Sequence, residues 1–135
     1  MTKKRPTPAE HWKPTPEEHD YPAAADYLAL LYPEQIAGAL VEELRGAETI
    51  HRKAKDLMRA SGLPLLPQTD PEVVRDVKKI ARGEQLSPIL LVRGRADAGI
   101  PLLVADGYHR ICASYHLEED ADIPCRLAWR SLESV

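Results

Sequence analysis

The feature that most constrains this chain is an abrupt change from strand-like to helical sequence at residues 106–110. Two apolar runs, Ile89–Val92 and Ile100–Ala105, have the composition of strands and are separated by a turn that contains glycine. After the string Asp-Gly-Tyr-His-Arg, the apolar residues from Ile111 to Leu117 are spaced to cover one side of a helix. We therefore predict that the chain leaves a strand and enters a helix at this string.

This transition predicts a binding site for a phosphate or another anion. The first N–H groups of a helix have no partner inside the helix, and that end carries partial positive charge. Gly107 allows a ligand to approach the backbone closely, and Arg110 can bind two oxygens of one phosphate. His109 can donate a hydrogen bond or move a proton. Anions commonly bind at helix starts of this kind.

The same residues also have structural interpretations, which the sequence leaves open. Gly107 would form only the turn, and Asp106 would cap the helix or hold magnesium. Arg110 would pair with Asp106 or with the acids at 118–120. Tyr108 would stack on a base or fill the turn. A histidine and arginine side by side at a helix start contribute little to a core, which favours the anion site.

Composition limits the remaining choices. With 135 residues and 44% hydrophobic content, the chain fits one compact domain. Its net charge of −3 provides no overall positive field for nucleic acid. Cys112 and Cys125 match no zinc or haem spacing and are expected to be small buried hydrophobes. No apolar run is long enough to span a bilayer and no secretory core is found, so we expect a cytoplasmic protein without membrane contact.

The first 48 residues divide into a tail and a helical extension. Residues 1–22 hold five of the twelve prolines and predict a flexible tail, in which Trp12 is expected to be pinned on this domain or on a neighbouring subunit. Residues 23–48 predict one helix up to Leu31 and a second that opens at Pro33. These helices would either cover a sheet face or join two copies as a homodimer.

Residues 49–135 are predicted as the main domain. Residues 49–56 favour a short strand that turns helical near Leu57, which places Asp56 at the strand end as a second candidate metal ligand beside Asp106. Asp70 has the sequence context of an N-cap for a helix that ends at Gly83. The outer side of that helix carries four basic residues, which are either a solvated face or an extension of the anion site: Arg75, Lys78, Lys79 and Arg82.

The order of these segments resembles the ParB N-terminal and sulfiredoxin superfamily. The resemblance is carried by Ser-Pro-Ile-Leu-Leu-Val, by Val-Ala-Asp-Gly-Tyr-His-Arg-Ile-Cys-Ala and by Asp-Ile-Pro-Cys-Arg-Leu, within residues 70–129. It implies an α/β (α+β) fold with a small mixed, mostly antiparallel sheet packed by helices, here with an N-terminal helical extension.

The resemblance implies different chemistry in each branch of the superfamily. In sulfiredoxins the turn is Gly-Cys-His-Arg, where the cysteine is the nucleophile and the histidine and arginine hold ATP phosphates. Tyr108 stands in the position of that cysteine, and a phenol with a pKa near 10 cannot replace an activated thiolate. Cys112 is expected to point elsewhere. Sulfiredoxin activity is therefore not expected.

In ParB proteins the turn is Gly-Glu-Arg-Arg, which binds a nucleoside triphosphate with a metal. What matches both branches is a phosphate site, with ATP or another nucleoside triphosphate and Mg²⁺ as implied ligands. The resemblance places the nucleotide-binding residues at the turn, namely Gly107, Tyr108, His109 and Arg110. Arg75, Lys78 and Lys79 of the basic helix are expected to assist them. Arg110 and His109 are the catalytic candidates.

Two functions follow as expectations. The first is binding, and hydrolysis or transfer, of a nucleotide phosphate, with nuclease action as a further activity of related proteins. The alternative is a non-catalytic interaction module in which the same turn holds a protein or a DNA phosphate.

Overall fold

The computed structural model describes residues 11–129 and confirms a mixed α/β fold. The described chain forms five α-helices, four strands and a short 3₁₀ turn at Ala96–Ala98. In chain order the helices and strands are α1 (Asp20–Leu28), α2 (Glu34–Gly46), β1 (Ile50–Lys53), α3 (Ala54–Ser61), α4 (Pro71–Ala81), β2 (Ile89–Val92), β3 (Leu103–Asp106), α5 (Tyr108–Leu117) and β4 (Asp122–Ala128).

The four strands form one sheet in the order β1-β4-β2-β3. The central strands β4 and β2 are parallel, with Ile89 opposite Cys125, whereas β1 and β3 each run antiparallel to their neighbour. The predicted mixed, mostly antiparallel sheet is therefore present.

Strand β2 is buried on both faces, as expected for a continuous apolar run in the middle of a sheet. Ile89 and Leu91 point into a core shared with α3, α4 and α5. Leu90 and Val92 point into a second core under α1 and α2. The N-terminal helices thus cover a sheet face, which was one of their two predicted roles.

Local sequence signals explain the clearest boundaries. The Asp70 carboxylate accepts hydrogen bonds from the N–H groups of Glu72 and Val73, both at 3.1 Å, so it caps α4 as predicted. Helix α3 ends at Gly62, whose φ of +67° is the left-handed conformation that glycine adopts at helix ends.

The N-terminal segment differs from the prediction. Helix α1 begins at Asp20, inside the predicted tail, because the Asp20 carboxylate accepts a hydrogen bond of 2.9 Å from the Glu17 N–H. Trp12 is only 4% exposed, and the Lys13 N–H donates to the Leu86 carbonyl at 2.8 Å. Trp12 is thus pinned on this domain, while residues 1–10 of the predicted tail lie outside the described residues.

Two predicted strands are too long, and one predicted helix end is too late. Strand β3 starts at Leu103, since Ile100 forms only an isolated bridge with Arg95. Strand β1 ends at Lys53, so the chain is already helical at Asp56. Helix α1 ends at Leu28 instead of residue 31. Among the described helices, none is both long and apolar enough to cross a membrane.

Candidate functional site

A cavity of about 250 Å³ lies where β3 ends and α5 begins. Helix α4 forms one wall, and the segment before α1 forms another. We call this cavity the polar pocket; its charged lining residues are Glu17, His19, Asp20, Glu72, Arg75, Asp76, Lys79, Asp106, His109 and Arg110. The predicted strand-to-helix transition is therefore placed beside an open cavity.

Gly107 is required at the turn for two reasons. Its φ of +110° is a conformation that other residues rarely adopt. A Cβ added there would lie 2.5 Å from the Ile89 side chain and 2.9 Å from the Arg110 guanidinium. The turn needs a glycine whether or not a ligand binds.

Helix α5 starts with backbone amides that no side chain caps. Gly107 is the N-cap residue, and the helix has no side-chain capping bond, so the predicted capping role of Asp106 is wrong. The Asp106 carboxylate instead accepts a hydrogen bond of 2.8 Å from Arg110. The first amides of α5 are therefore free of side-chain competition for an anion.

Arg110 is held by the protein itself. In addition to Asp106, its guanidinium contacts the Pro88 carbonyl at 3.4 Å, and its side chain is only 18% exposed. Its Nε is buried without a hydrogen-bond partner among the described residues. The predicted structural pairing of Arg110 with Asp106 is thus present, and this arginine is less available to a ligand than expected.

Helix α4 packs beside α5, as it must if the basic residues of α4 are to extend the anion site. Arg75 and Lys79 line the polar pocket together with His109. Lys78 lies on the same helix but does not line it, because its side chain points to solvent. Arg82 does not line it either, so the proposed extension of the site consists of two of the four basic residues predicted on this helix.

The polar pocket is richer in carboxyl groups than the sequence suggested. Five carboxyl groups and two histidines accompany three permanent cations, so the pocket is mixed in charge rather than electropositive. Burial raises the pKa of Asp106, and the adjacent Asp20 raises it further, against the opposing charge of Arg110. Asp20 was missed because it was assigned to the tail.

Asp76 is the most unusual of these acids. It is 8% exposed and faces the pocket from α4, and no ion pair or hydrogen bond joins its carboxyl group to another residue within 11–129. Burial raises its pKa, although Arg110, Lys79 and His109 act in the opposite direction. A signal existed in the sequence, since Asp76 lies three residues after Val73, on the apolar stripe of α4.

Tyr108 does not line the polar pocket. Its hydroxyl donates a hydrogen bond to the Pro64 carbonyl, and its ring packs against the core. Cys112, one turn later, lies beside it, so the expectation that Cys112 points elsewhere is wrong. Both thiols are fully buried, and burial raises the pKa of Cys112 and raises that of Cys125 to about 12, which disfavours the thiolate form at each.

The second predicted metal ligand also lies elsewhere. Asp56 is in α3, forms an ion pair of 3.0 Å with Arg59 and lines a different cavity, so it cannot act with Asp106. Within residues 11–129, no group of three or more histidine, cysteine or acidic side chains is arranged to hold a metal ion. Asp20 and Asp106 are the neighbouring pair that offers carboxylate oxygens at the pocket.

Comparison with known proteins finds no match for this chain among family models, curated proteins or solved structures.

Proposed function

We propose that this chain is a ParB/sulfiredoxin-like domain that binds the phosphate groups of a nucleotide in the polar pocket. The supporting observation is the uncapped start of α5, which opens into the polar pocket beside His109 and Lys79. The order α4-β2-β3-α5-β4 is also the order of segments on which the resemblance rests.

In this proposal the direct phosphate contacts differ from those expected from the sequence. The first amides of α5 bind one phosphate, and Lys79 and His109 supply donors around it, joined by Arg75, which is paired with Glu72 at 3.2 Å. Arg110 mainly braces the turn through Asp106, and its Nε is buried and out of reach of a ligand. A cavity of about 250 Å³ holds the phosphate end of a nucleotide, so the sugar and base lie outside it.

Hydrolysis or transfer of the phosphate requires a proton acceptor, and we assign this role to Asp76. Its carboxyl group is buried and faces the pocket, and burial raises its pKa against the attraction of Arg110, Lys79 and His109. A carboxyl group with a raised pKa is suited to general acid–base chemistry near neutral pH. Mg²⁺ fits with Asp106 and Asp20 as its protein ligands, since this ion commonly uses one or two carboxylates and takes its other ligands from phosphate and water.

The alternative is a module that binds phosphate without chemistry. The internal pairing of Arg110 favours it, because phosphoryl transfer is stabilised chiefly by positive charge that is free to contact the transferred group. The five carboxyl groups of the pocket oppose the binding of any phosphate, so in either role the α5 amides, Lys79 and Arg75 have to offset them.

Neighbouring lysines on α4 provide the test of binding. Melting temperature is measured with ATP, ADP, CTP and GTP, each with and without Mg²⁺. A nucleotide at 100 times its Kd stabilises the folded state by about 2.7 kcal/mol. Lys79→Gln is expected to reduce the rise in melting temperature that the nucleotide causes. The side chain of Lys78 points away from the pocket, so Lys78→Gln should leave that rise unchanged. The absence of a shift with any nucleotide, or equal effects of both variants, contradicts the proposal.

Catalysis is tested separately with Asp76→Asn. This variant should keep or improve nucleotide binding because it removes a negative charge, and it should lose roughly 100-fold or more in phosphate release if Asp76 is the proton acceptor. Binding without turnover in the unsubstituted protein identifies the non-catalytic module instead.

A further inference from the structure

We propose that a second cavity, separate from the polar pocket, binds a small amphipathic carboxylate, meaning an apolar chain that ends in one negative charge. The cavity has a volume of about 630 Å³ and lies between α3, β1 and the loop 94–101. We call it the apolar groove. Its volume is within the range of about 300–1,000 Å³ that is typical of small-molecule sites.

The floor and sides of the groove are apolar. Leu57 and Leu91, which are 3% and 2% exposed, form its base as part of the core. Ile50, Leu102 and Leu127 line it while remaining only partly buried. A hydrocarbon chain in the groove would cover these three side chains, and the burial of apolar surface would drive its binding.

The loop that forms one wall is fixed by its own backbone. Arg95 and Ile100 exchange two hydrogen bonds of 2.8 Å, and the Leu102 N–H donates to the Ala60 carbonyl at 3.0 Å, which ties the wall to α3. The backbone at Ile100 and Pro101 approaches Gly94 so closely that no Cβ fits there. The groove is therefore preformed, and a ligand does not have to order this loop.

Charge selects the class of ligand. Arg52 and Arg93 both line the groove, and neither forms an ion pair with a carboxylate among residues 11–129. Arg52 donates to the His51 carbonyl at 2.9 Å, and the Arg93 guanidinium lies 3.6 Å from the centre of the Trp129 ring. The acid of the groove, Asp56, is already paired with Arg59.

Two arginines that line an apolar groove complement a molecule with a carboxylate at one end and a hydrocarbon body. An uncharged apolar ligand would use the floor but neither cation. A small anion such as acetate would leave the floor exposed to water. An amphipathic carboxylate satisfies both parts, because arginine binds a carboxylate through two parallel hydrogen bonds.

The experiment is a titration of the full chain with decanoate, followed by ¹H–¹⁵N NMR. The amides of Leu91, Gly94 and Leu102 should shift, those of His109 and Gly107 should not, and the Kd should be below about 1 mM. Acetate and decan-1-ol should each bind at least about tenfold more weakly, since each lacks one half of the recognised structure.

Variants locate the two halves of the site. Arg93→Gln and Arg52→Gln should each weaken decanoate about tenfold, the loss expected for one charge-assisted contact. Arg82→Gln, an exposed arginine paired with Glu84 on another surface, is the matched control and should have no effect. Ala60→Glu places a carboxylate in the groove from an exposed position of α3 and should abolish binding.

The proposal is overturned if decanoate shifts no groove amide at millimolar concentration, or if decan-1-ol binds as tightly as decanoate. It is equally overturned if the two groove arginine variants behave like Arg82→Gln. Shifts confined to the polar pocket would assign the anion to the other site and also contradict it.

Discussion

The two cavities lie toward opposite ends of strand β2 and differ in how the protein stabilises them. The polar pocket, next to the residues before β2, is lined by five carboxyl groups and three permanent cations, with Asp106 bound to Arg110. The apolar groove, next to the residues after β2, has a hydrocarbon floor and two arginines that form no ion pair among residues 11–129. Acids are thus in excess in the pocket, whereas the groove offers its positive charge to a ligand.

The largest expected difference between the two regions is in stability, and their two tryptophans test it. Trp12 is buried and fixes the N-terminal segment against Leu86, which lines the polar pocket, whereas Trp129 is 55% exposed beside the groove. Trp12→Ala should lower the free energy of unfolding by about 4 kcal/mol, and Trp129→Ala by less than about 1 kcal/mol. Urea denaturation measures both, and equal losses would show that the N-terminal segment is not anchored as described.

Glycines at the two sites make the next comparison. Gly107→Ala combines a φ of +110° with a Cβ that would meet Ile89 and Arg110, so we expect a loss of about 3 kcal/mol. Gly99 is also left-handed, with φ +72°, but a Cβ there meets open space, so Gly99→Ala should cost about 1 kcal/mol. Thermal and urea unfolding distinguish the two, and a larger loss at Gly99 would contradict the close packing at the pocket turn.

The smallest expected effect is a difference in pH dependence. Because the pKa of Asp76 is raised in the folded state, this group destabilises the fold increasingly as pH rises above its ordinary value of 3.8 and through its folded value. Asp76→Asn should therefore be more stable than the unsubstituted protein at pH 7, with the difference vanishing at pH 3.

Asp97, in the loop beside the groove, is the control of opposite sign for that prediction. Its hydrogen bond with Arg95 lowers its pKa, so it stabilises the fold above its ordinary pKa and loses that contribution as pH falls. Asp97→Asn should reduce the melting temperature slightly at pH 7. Melting curves between pH 3 and 8 test both variants, and a shift of the same sign for both would refute the assigned environments.

The sequence predicted the elements whose signals are local. The Asp70 cap with Pro71 after it, the apolar run of β2 and the glycine before α5 each lie within a few residues of the structure they determine. The beginning of α1 was missed because it depends on the hydrogen bond between Asp20 and Glu17, in a stretch whose prolines favoured a tail. The groove was missed entirely, because its lining comes from three stretches that are far apart in the sequence: 50–60, 91–102 and Leu127.

Among the site residues, too, those with local signals were predicted and those that depend on distant packing were not. His109 and Arg110 were found from a local motif, but Asp20 reaches Asp106 only through the packing of α1 on β3. Two errors had a usable signal. Tyr108 precedes Cys112 by one helical turn and so belongs to the buried face, and Asp76 lies on the apolar stripe of α4.

The complete burial of β2 has one more consequence. A strand rises about 3.3 Å per residue, so the path from Ser87 to Arg93 covers roughly 20 Å. Along that path the side chains of residues 89–92 are all hydrocarbon, with no group that can accept or release a proton. Protonation at one end therefore has no relay along this strand to the other end.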